Sequence, residues 1–240
     1  MTKYKKDDIT LYCEDYKKIL SQLPDNYVDL IVTDPPYKVT KRGISESTNT
    51  GGLVRSELGK KGKIFKHNDV PIKEFVPELY RVLKEGSHCY IMTNHVNLQE
   101  MLNVATESGF HFIKCLIWDK GNKIMGQCYM SQFEYILFLR KGKHKKINNC
   151  GTPDILNIPN KKTKDENGKN LHDTEKPIEL AKILIENSSN EGDLVLDPFF
   201  GVGFVPIACE LLNRRFGGTE IDEEYFNKTI KRLDELRKED

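Results

Sequence analysis

Two rhythms of apolar residues alternate along the chain. Short apolar runs at Ile9–Cys13, Val28–Thr33, His88–Met92, Phe112–Trp118, Tyr135–Leu139, Leu194–Leu196 and Phe216–Glu220 have the length and composition of strands. Between them the spacing changes to three and four. Ile72–Leu83 places Phe75, Leu79, Val82 and Leu83 on one stripe, and Leu98–Thr106 and Ile178–Glu186 read similarly. Val205–Leu212 opens with Pro206 in its first turn, a tolerated position. Asp222–Lys238 repeats Phe226, Ile230 and Leu233 at helical spacing. Strands alternating with helices predict an α/β fold, a mostly parallel seven-stranded sheet with helices on both faces. Phe112–Trp118 and Tyr135–Leu139 have no helical pattern between them, so they are expected to pair as a hairpin and leave one antiparallel strand.

Segments 38–66 and 141–171 show neither rhythm and are too long to be idle connections. The 240 residues suit one domain, 1–240, with these two segments inserted in it. With 38% hydrophobic and 30% charged residues, the chain reads as globular rather than disordered. No apolar run approaches a membrane span and the first ten residues lack a signal-peptide core, so a cytoplasmic location is expected. The six cysteines are scattered without a C-x-x-C pair, which argues against a zinc cluster or a disulfide framework.

The formal net charge of +1 hides an uneven distribution. Residues 38–66 carry net +6 and residues 141–170 net +5, balanced by an acidic remainder. Two basic, Gly- and Asn-rich segments in a neutral chain point to a local polyanion site.

The stretch "GDLVLDPFFGVGF", Gly192–Phe204, joins a strand ending at Asp197 to a helix through Gly201-Val202-Gly203. Glycines there let a ligand approach the backbone, and a helix N-terminus offers free N–H groups. About twenty residues on, "RFGGTEID" ends a second strand at Glu220, where nucleotide-binding α/β folds keep an acid for ribose hydroxyls. The third glycine of the dinucleotide pattern is missing. That favours a nucleoside without a pyrophosphate, such as S-adenosylmethionine, over a nicotinamide cofactor.

"TDPPY" at Thr33–Tyr37 together with "LDPFFGVGF" resembles the amino-methyltransferases of DNA, which modify adenine N6 or cytosine N4. Catalytic motif first and cofactor motif last is the order of the family's beta group, a circularly permuted Rossmann-like, S-adenosylmethionine-dependent methyltransferase fold. The resemblance extends through "LYCEDYKKILSQLPDNYVDLIVTDPPY", "LIWDKGNKIMGQCYMSQFEYILFLRKGK" and "LHDTEKPIELAKILIENSSNEGDLVLDPFFGVG", nearly the whole chain. It implies that Asp34, Pro35, Pro36 and Tyr37 are catalytic. An exocyclic amine is a poor nucleophile because its lone pair is delocalised into the ring. Asp34 and the Pro35 carbonyl would accept its N–H groups, the prolines would hold the acceptors in place, and Tyr37 would stack on an extruded base.

The resemblance also implies cofactor contacts. Asp15 and Tyr16 would meet the adenine ring, Lys176 and Thr174 would flank the methionine end, Asp197, Phe199, Gly201 and Gly203 would form the turn, and Glu220 would take the ribose. Departures stand at Val202 and Phe204, where the family usually has hydroxyl residues, and at "HDTEKP" and "EDY". The basic segments become the expected contact to double-stranded DNA through Lys38, Lys41, Arg42, Lys60, Lys61, Lys63, Lys143, Lys145 and Lys146, with 141–171 as a small target-recognition insertion. That insertion is small for a self-sufficient recognition domain, so a homodimer is expected, with a cognate restriction endonuclease as a further partner. Asp at the first motif position leans toward adenine N6. The alternatives are cytosine N4 methylation by the same chemistry, and a non-catalytic DNA-binding module with a degenerate pocket. Trp118 reads as a core aromatic and Glu134 as a strand-edge acid.

Overall fold

A computed structural model describes residues 2–36, 70–124, 129–160 and 175–239. Its strands are β1 (Thr2–Lys6), β2 (Ile9–Cys13), β3 (Val28–Thr33), β4 (Leu83–Thr93), β5 (His111–Ile124), β6 (Ser131–Arg140), β7 (Ile155–Asn157), β8 (Leu194–Asp197) and β9 (Arg215–Glu220). The helices, numbered within the described residues, are α1 (Tyr16–Leu20), α2 (Ile72–Val82), α3 (Leu98–Glu107), α4 (Ile178–Ser188), α5 (Phe204–Leu211) and α6 (Glu223–Glu239).

The strands form one sheet in the order β1-β2-β9-β8-β3-β4-β6-β5-β7. β6 is antiparallel to both β4 and β5, and β1 is antiparallel to β2; the remaining strands run one way. The expected seven strands with one antiparallel member are therefore present, extended at each edge. β1, "TKYKK", is largely exposed and carries no apolar rhythm. β7 is a three-residue strand inside the segment read as loop.

Period-two alternation in the central strand builds both halves of the core. Leu30 and Val32 of β3 pack on one face with Leu180 and Leu184 of α4, Val205 and Ala208 of α5 and Phe226 of α6. Ile31 packs on the other with Leu20 of α1, Phe75 and Leu79 of α2 and Met101 of α3. The part of a strand buried on both faces must be apolar, which is why Leu30, Ile31 and Val32 of β3 read as an unbroken hydrophobic run. On α2 the residues Ile72, Phe75, Val76, Leu79 and Val82 are all buried, a stripe at helical spacing. Leu83, expected in that helix, has extended backbone and starts β4 instead.

This order places a topological switch point between β3 and β8. From β3 the chain crosses to β4 on one side, and from β8 it crosses to β9 on the other. Open α/β sheets bind ligands in the crevice outside the carboxyl ends of such a strand pair. No helix among the described residues is long and apolar enough to cross a membrane.

Candidate active site

The carboxyl ends of β3 and β8 are joined by side chains. Thr33, the last residue of β3, donates its hydroxyl to Oδ1 of Asp197 at 2.7 Å, and the Phe199 N–H donates to the same oxygen at 3.0 Å. Oδ2 of Asp197 is buried and has no hydrogen-bond partner among the described residues. Burial, with smaller contributions from the charges of Asp34 and Glu220, pushes this carboxyl up to about 8 against the two donors.

After Asp197 the chain turns through Gly201 (φ +55°) and Gly203 (φ +92°), left-handed backbone that glycine adopts at little cost. Gly203 then caps α5. The turn is held from three sides. Thr229 of α6 donates to the Gly201 carbonyl at 3.0 Å. Arg232 of α6 donates to the Val202 carbonyl at 2.5 Å and pairs with the buried Glu175 at 2.9 Å. The Gly201 N–H donates to Oε2 of Glu220 at 3.0 Å, while Oε1 accepts from the Asp222 N–H at 2.8 Å. A carboxylate has about four acceptor sites, so Glu220 keeps capacity for two ligand hydroxyls. Val202 and Phe204, the departures from the family turn, are buried side chains, and Phe204 belongs to the core.

The register of β2 on β9 sets Cys13 against Glu220, which brings Asp15 and Tyr16 to the same edge of the sheet. Asp15 caps α1, accepting the Lys17 N–H at 2.8 Å. Tyr16 packs on Phe199, with ring centroids 5.0 Å apart, and on Phe75 at 6.4 Å. Its hydroxyl is buried with no hydrogen-bond partner among the described residues, and burial pushes the phenol far up.

Asp34, the residue after β3, pairs through Oδ2 with Lys176, while Oδ1 is buried without a hydrogen-bond partner among the described residues. Lys176 lies 3.4 Å from Oε2 of Glu134 on β6, and Lys120 of β5 reaches Oε1 of Glu134 at 2.5 Å. Both ammonium groups lie over the Trp118 ring, at 6.0 and 5.2 Å from its centroid. Burial pushes the Asp34 carboxyl up and Lys176 opposes it. At Glu134 burial acts the same way, but Lys176 and Lys120 outweigh it and hold the carboxyl below its ordinary range.

The structure thus gathers Asp15, Tyr16, Asp34, Lys176, Asp197, Phe199, Gly201, Gly203 and Glu220 along one edge of the sheet. Tyr37, Thr174, Lys38, Lys41, Arg42, Lys60, Lys61 and Lys63 lie outside the described residues. Lys143, Lys145 and Lys146 are exposed but are not brought to this site. β6 is antiparallel, so its end at Arg140 pairs with His88 near the start of the apolar part of β4, and the Lys145 carbonyl bonds the His88 ring at 3.1 Å. These three lysines therefore follow the amino edge of the sheet, away from Asp34.

Glu134 and Lys120 are the site residues that sequence reasoning missed. The signal was present as an acid inside the apolar run "QFEYILFLR", directly across from Trp118 in the ladder. Trp118 is the core residue expected, 1% exposed, yet its ring also lies against the charged cluster.

Comparison with known proteins decides the family. A family model described as DNA methylase (N6_N4_Mtase) matches residues 28–232. The chain belongs to that DNA methylase family. The type II methyltransferase M2.DpnII of Streptococcus pneumoniae is 30% identical over 254 aligned positions, covering 98% of this chain and 93% of its own. M2.MboI of Moraxella bovis is 27% identical, covering 90% and 84%. Among solved structures, the M1.HpyAVI–SAM complex superposes with a TM-score of 0.68 at 24% identity over 94% of this chain and all of that one. The PvuII cytosine-N4-specific DNA methyltransferase gives 0.73 at 16% identity over 96% and 88%. The methylase shares their fold and is an S-adenosylmethionine-dependent DNA methyltransferase.

The residues present fit that cofactor. A buried Asp197 oxygen without a hydrogen-bond partner among the described residues suits a ligand's ammonium group, and the Glu220 carboxylate suits a pair of hydroxyls. Burial raises Glu220 to about 7, against the N–H groups of Asp222 and Gly201. Its charged form is the better acceptor, so the part of cofactor affinity owed to Glu220 is expected to rise with pH through about 7, while Asp197, held at about 8, continues the rise above it. Calorimetry on wild type against Glu220→Gln should find the Glu220 contribution about tenfold weaker at pH 6 than at pH 8, the ratio of ionised fractions for such a group. Glu220→Gln should lose this component; identical profiles in both proteins would refute the assignment.

Proposed function

We propose that the methylase is a site-specific DNA adenine N6-methyltransferase acting on an adenine extruded from double-stranded DNA. The observation that carries this reading is the Asp34 carboxylate at the switch point, one oxygen held by Lys176 and the other buried with no hydrogen-bond partner among the described residues. Support for adenine comes from the residue type, an Asp rather than a Ser ahead of the two prolines. Bound S-adenosylmethionine supplies a methyl group already activated on a sulfonium.

The protein's part is to turn a weak nucleophile toward that methyl. Oδ1 of Asp34 accepts one N–H of the amine and the Pro35 carbonyl the other, which pulls the nitrogen toward tetrahedral geometry. As the methyl–sulfur bond broke, leaving its electron pair on sulfur, and the N–C bond formed, the proton leaving nitrogen would pass to Oδ1, which burial has made more basic than an exposed carboxylate. Tyr37 replaces the stacking that the base loses on leaving the duplex. Lys176 and Thr174 flank the methionine end, Asp197, Phe199, Gly201 and Gly203 line the turn, Glu220 holds the ribose, and Asp15 and Tyr16 border the adenine ring.

The basic residues Lys38, Lys41, Arg42, Lys60, Lys61 and Lys63 follow the catalytic motif directly and contact phosphates, so affinity falls with salt. The enzyme works in the cytoplasm as a homodimer beside a cognate endonuclease, with residues 141–171 contributing to target choice. Expression in a bacterial host without its own DNA methylases, followed by sequencing that detects modified bases, tests the reading. Modified adenines confined to one short motif are expected. Modified cytosines at such a motif would transfer the mechanism to N4, and an unmodified genome would overturn it.

A further inference from the structure

The reading of Asp34 as the acceptor leaves one part of the site unexplained. Four charged side chains from four places in the chain meet there in a largely buried cluster: Asp34 after β3, Lys120 on β5, Glu134 on β6 and Lys176 ahead of α4. The four charges sum to zero. Lys176 is its centre, 5% exposed, with one carboxylate on either side and the Trp118 ring alongside.

Resting on that reading, we infer that Lys176 is a positioning residue: its ammonium, shared with Glu134, holds Oδ2 of Asp34, keeps that carboxylate charged in its buried setting, and leaves Oδ1 as the acceptor for the amine. Three observations support this. An isolated carboxylate this deeply buried would take up a proton rather than remain charged, and a neutral acid is a poor acceptor for an amine N–H. The groups facing Asp34 include the acid Glu134, and Asp197 feels its charge as well, so the cations of Lys176 and Lys120 are what oppose neutralisation. Finally, the backbone on both sides of Lys176 is fixed. Glu175 is tied to Arg232 at 2.9 Å, and Pro177 caps α4 with φ −64°. A lysine side chain normally surrenders up to about 2 kcal/mol of rotamer freedom when ordered, and neighbours built around it reduce the misalignment that freedom would cause.

Glu134 has a distinct part. It draws the ammonium partly away from Asp34, and Lys120 in turn neutralises Glu134. Removing Lys176 and removing Glu134 should therefore move Asp34 in opposite directions, a result that general loosening of the site would not give.

The test uses the unliganded full chain labelled with carboxyl-¹³C aspartate, the Asp34 resonance being identified by its loss in Asp34→Ala. Lys176→Met should raise the Asp34 titration midpoint by at least about one unit, and Glu134→Gln should lower it. Lys176→Arg should hold it within about half a unit of wild type, since the charge is kept. The acid limb of single-turnover methyl transfer should follow in the same directions, with turnover of Lys176→Met recovering as pH rises. An unmoved midpoint, or shifts of the same sign in Lys176→Met and Glu134→Gln, would overturn the inference. If Lys176→Met does not fold, a downward shift in Glu134→Gln still supports the inference, and any other result overturns it. An active Asp34→Ala enzyme would sink the functional reading on which it rests. An inactive Asp34→Ala enzyme together with an unmoved Asp34 midpoint in Lys176→Met and Glu134→Gln would remove only the role of Lys176.

Discussion

Asp34→Ala is expected to abolish turnover, by about 10³-fold or more, while leaving cofactor affinity within a few-fold of wild type. The split follows from the architecture. Asp34 follows β3, whereas the cofactor turn belongs to β8, α5 and β9, which Thr229, Arg232 and Glu220 hold from outside the catalytic motif. The substitution removes both oxygens. Lys176 keeps Glu134 at 3.4 Å, so no ammonium is left buried without a carboxylate beside it. Single-turnover rates and calorimetry on the same preparation measure both halves. Retained turnover would remove Asp34 from the chemistry, and loss of cofactor binding in step with turnover would show the two halves of the site to be one unit.

Gly203→Ala is expected to damage the other half. With φ at +92°, an alanine there is strained whatever its surroundings, and its Cβ would lie 2.6 Å from Cγ2 of Thr229. Strain and overpacking together should destabilise the protein by about 2–5 kcal/mol. For a chain of this size that lowers the melting temperature by roughly 5–15 °C. Cofactor affinity should fall at least about tenfold, because the turn that presents the Gly201 N–H to Glu220 must shift. Adding Thr229→Ala removes the closest contact, but it keeps the backbone strain and a Cβ at 3.2 Å and loses the hydrogen bond to the Gly201 carbonyl, so the double variant should recover only part of the loss. Full recovery would show that crowding alone mattered, and a neutral Gly203→Ala would show that the turn tolerates a side chain.

The parts of this fold that were legible beforehand are those in which one physical demand dominates. β3 is buried on both faces, so Leu30, Ile31 and Val32 had to be apolar, and β2 and β3 begin and end where the pattern places them. The turn at Gly201 and Gly203 was visible because left-handed backbone selects glycine. β1 was not legible because an exposed antiparallel edge strand imposes no apolar rhythm on Thr2–Lys6. β7 was missed because three residues are too few to show a period.

The site divides the same way. Asp34, Asp197 and Glu220 stand at strand ends, where a carboxylate interrupts an apolar run and the sheet's topology then collects them. The pairing of Lys176 with Asp34 spans 142 positions and depends on how α4 enters the sheet, which no local pattern records. The three lysines after Lys141 mark the reach of such patterns: a run of charge says that a segment is basic, not which edge of the sheet it will follow. Arg232 on α6 and Glu175 just ahead of α4 form a buried ion pair that no local pattern marks.

The most direct test of adenine methylation by Asp34 uses purified wild-type protein and Asp34→Ala side by side, with S-adenosylmethionine and unmethylated genomic DNA. The DNA is digested to nucleosides and analysed by mass spectrometry. N6-methyldeoxyadenosine formed by the wild type and absent with Asp34→Ala is the predicted result. N4-methyldeoxycytidine in its place, no methylated nucleoside from the wild type, or equal methylation by both proteins would contradict the account.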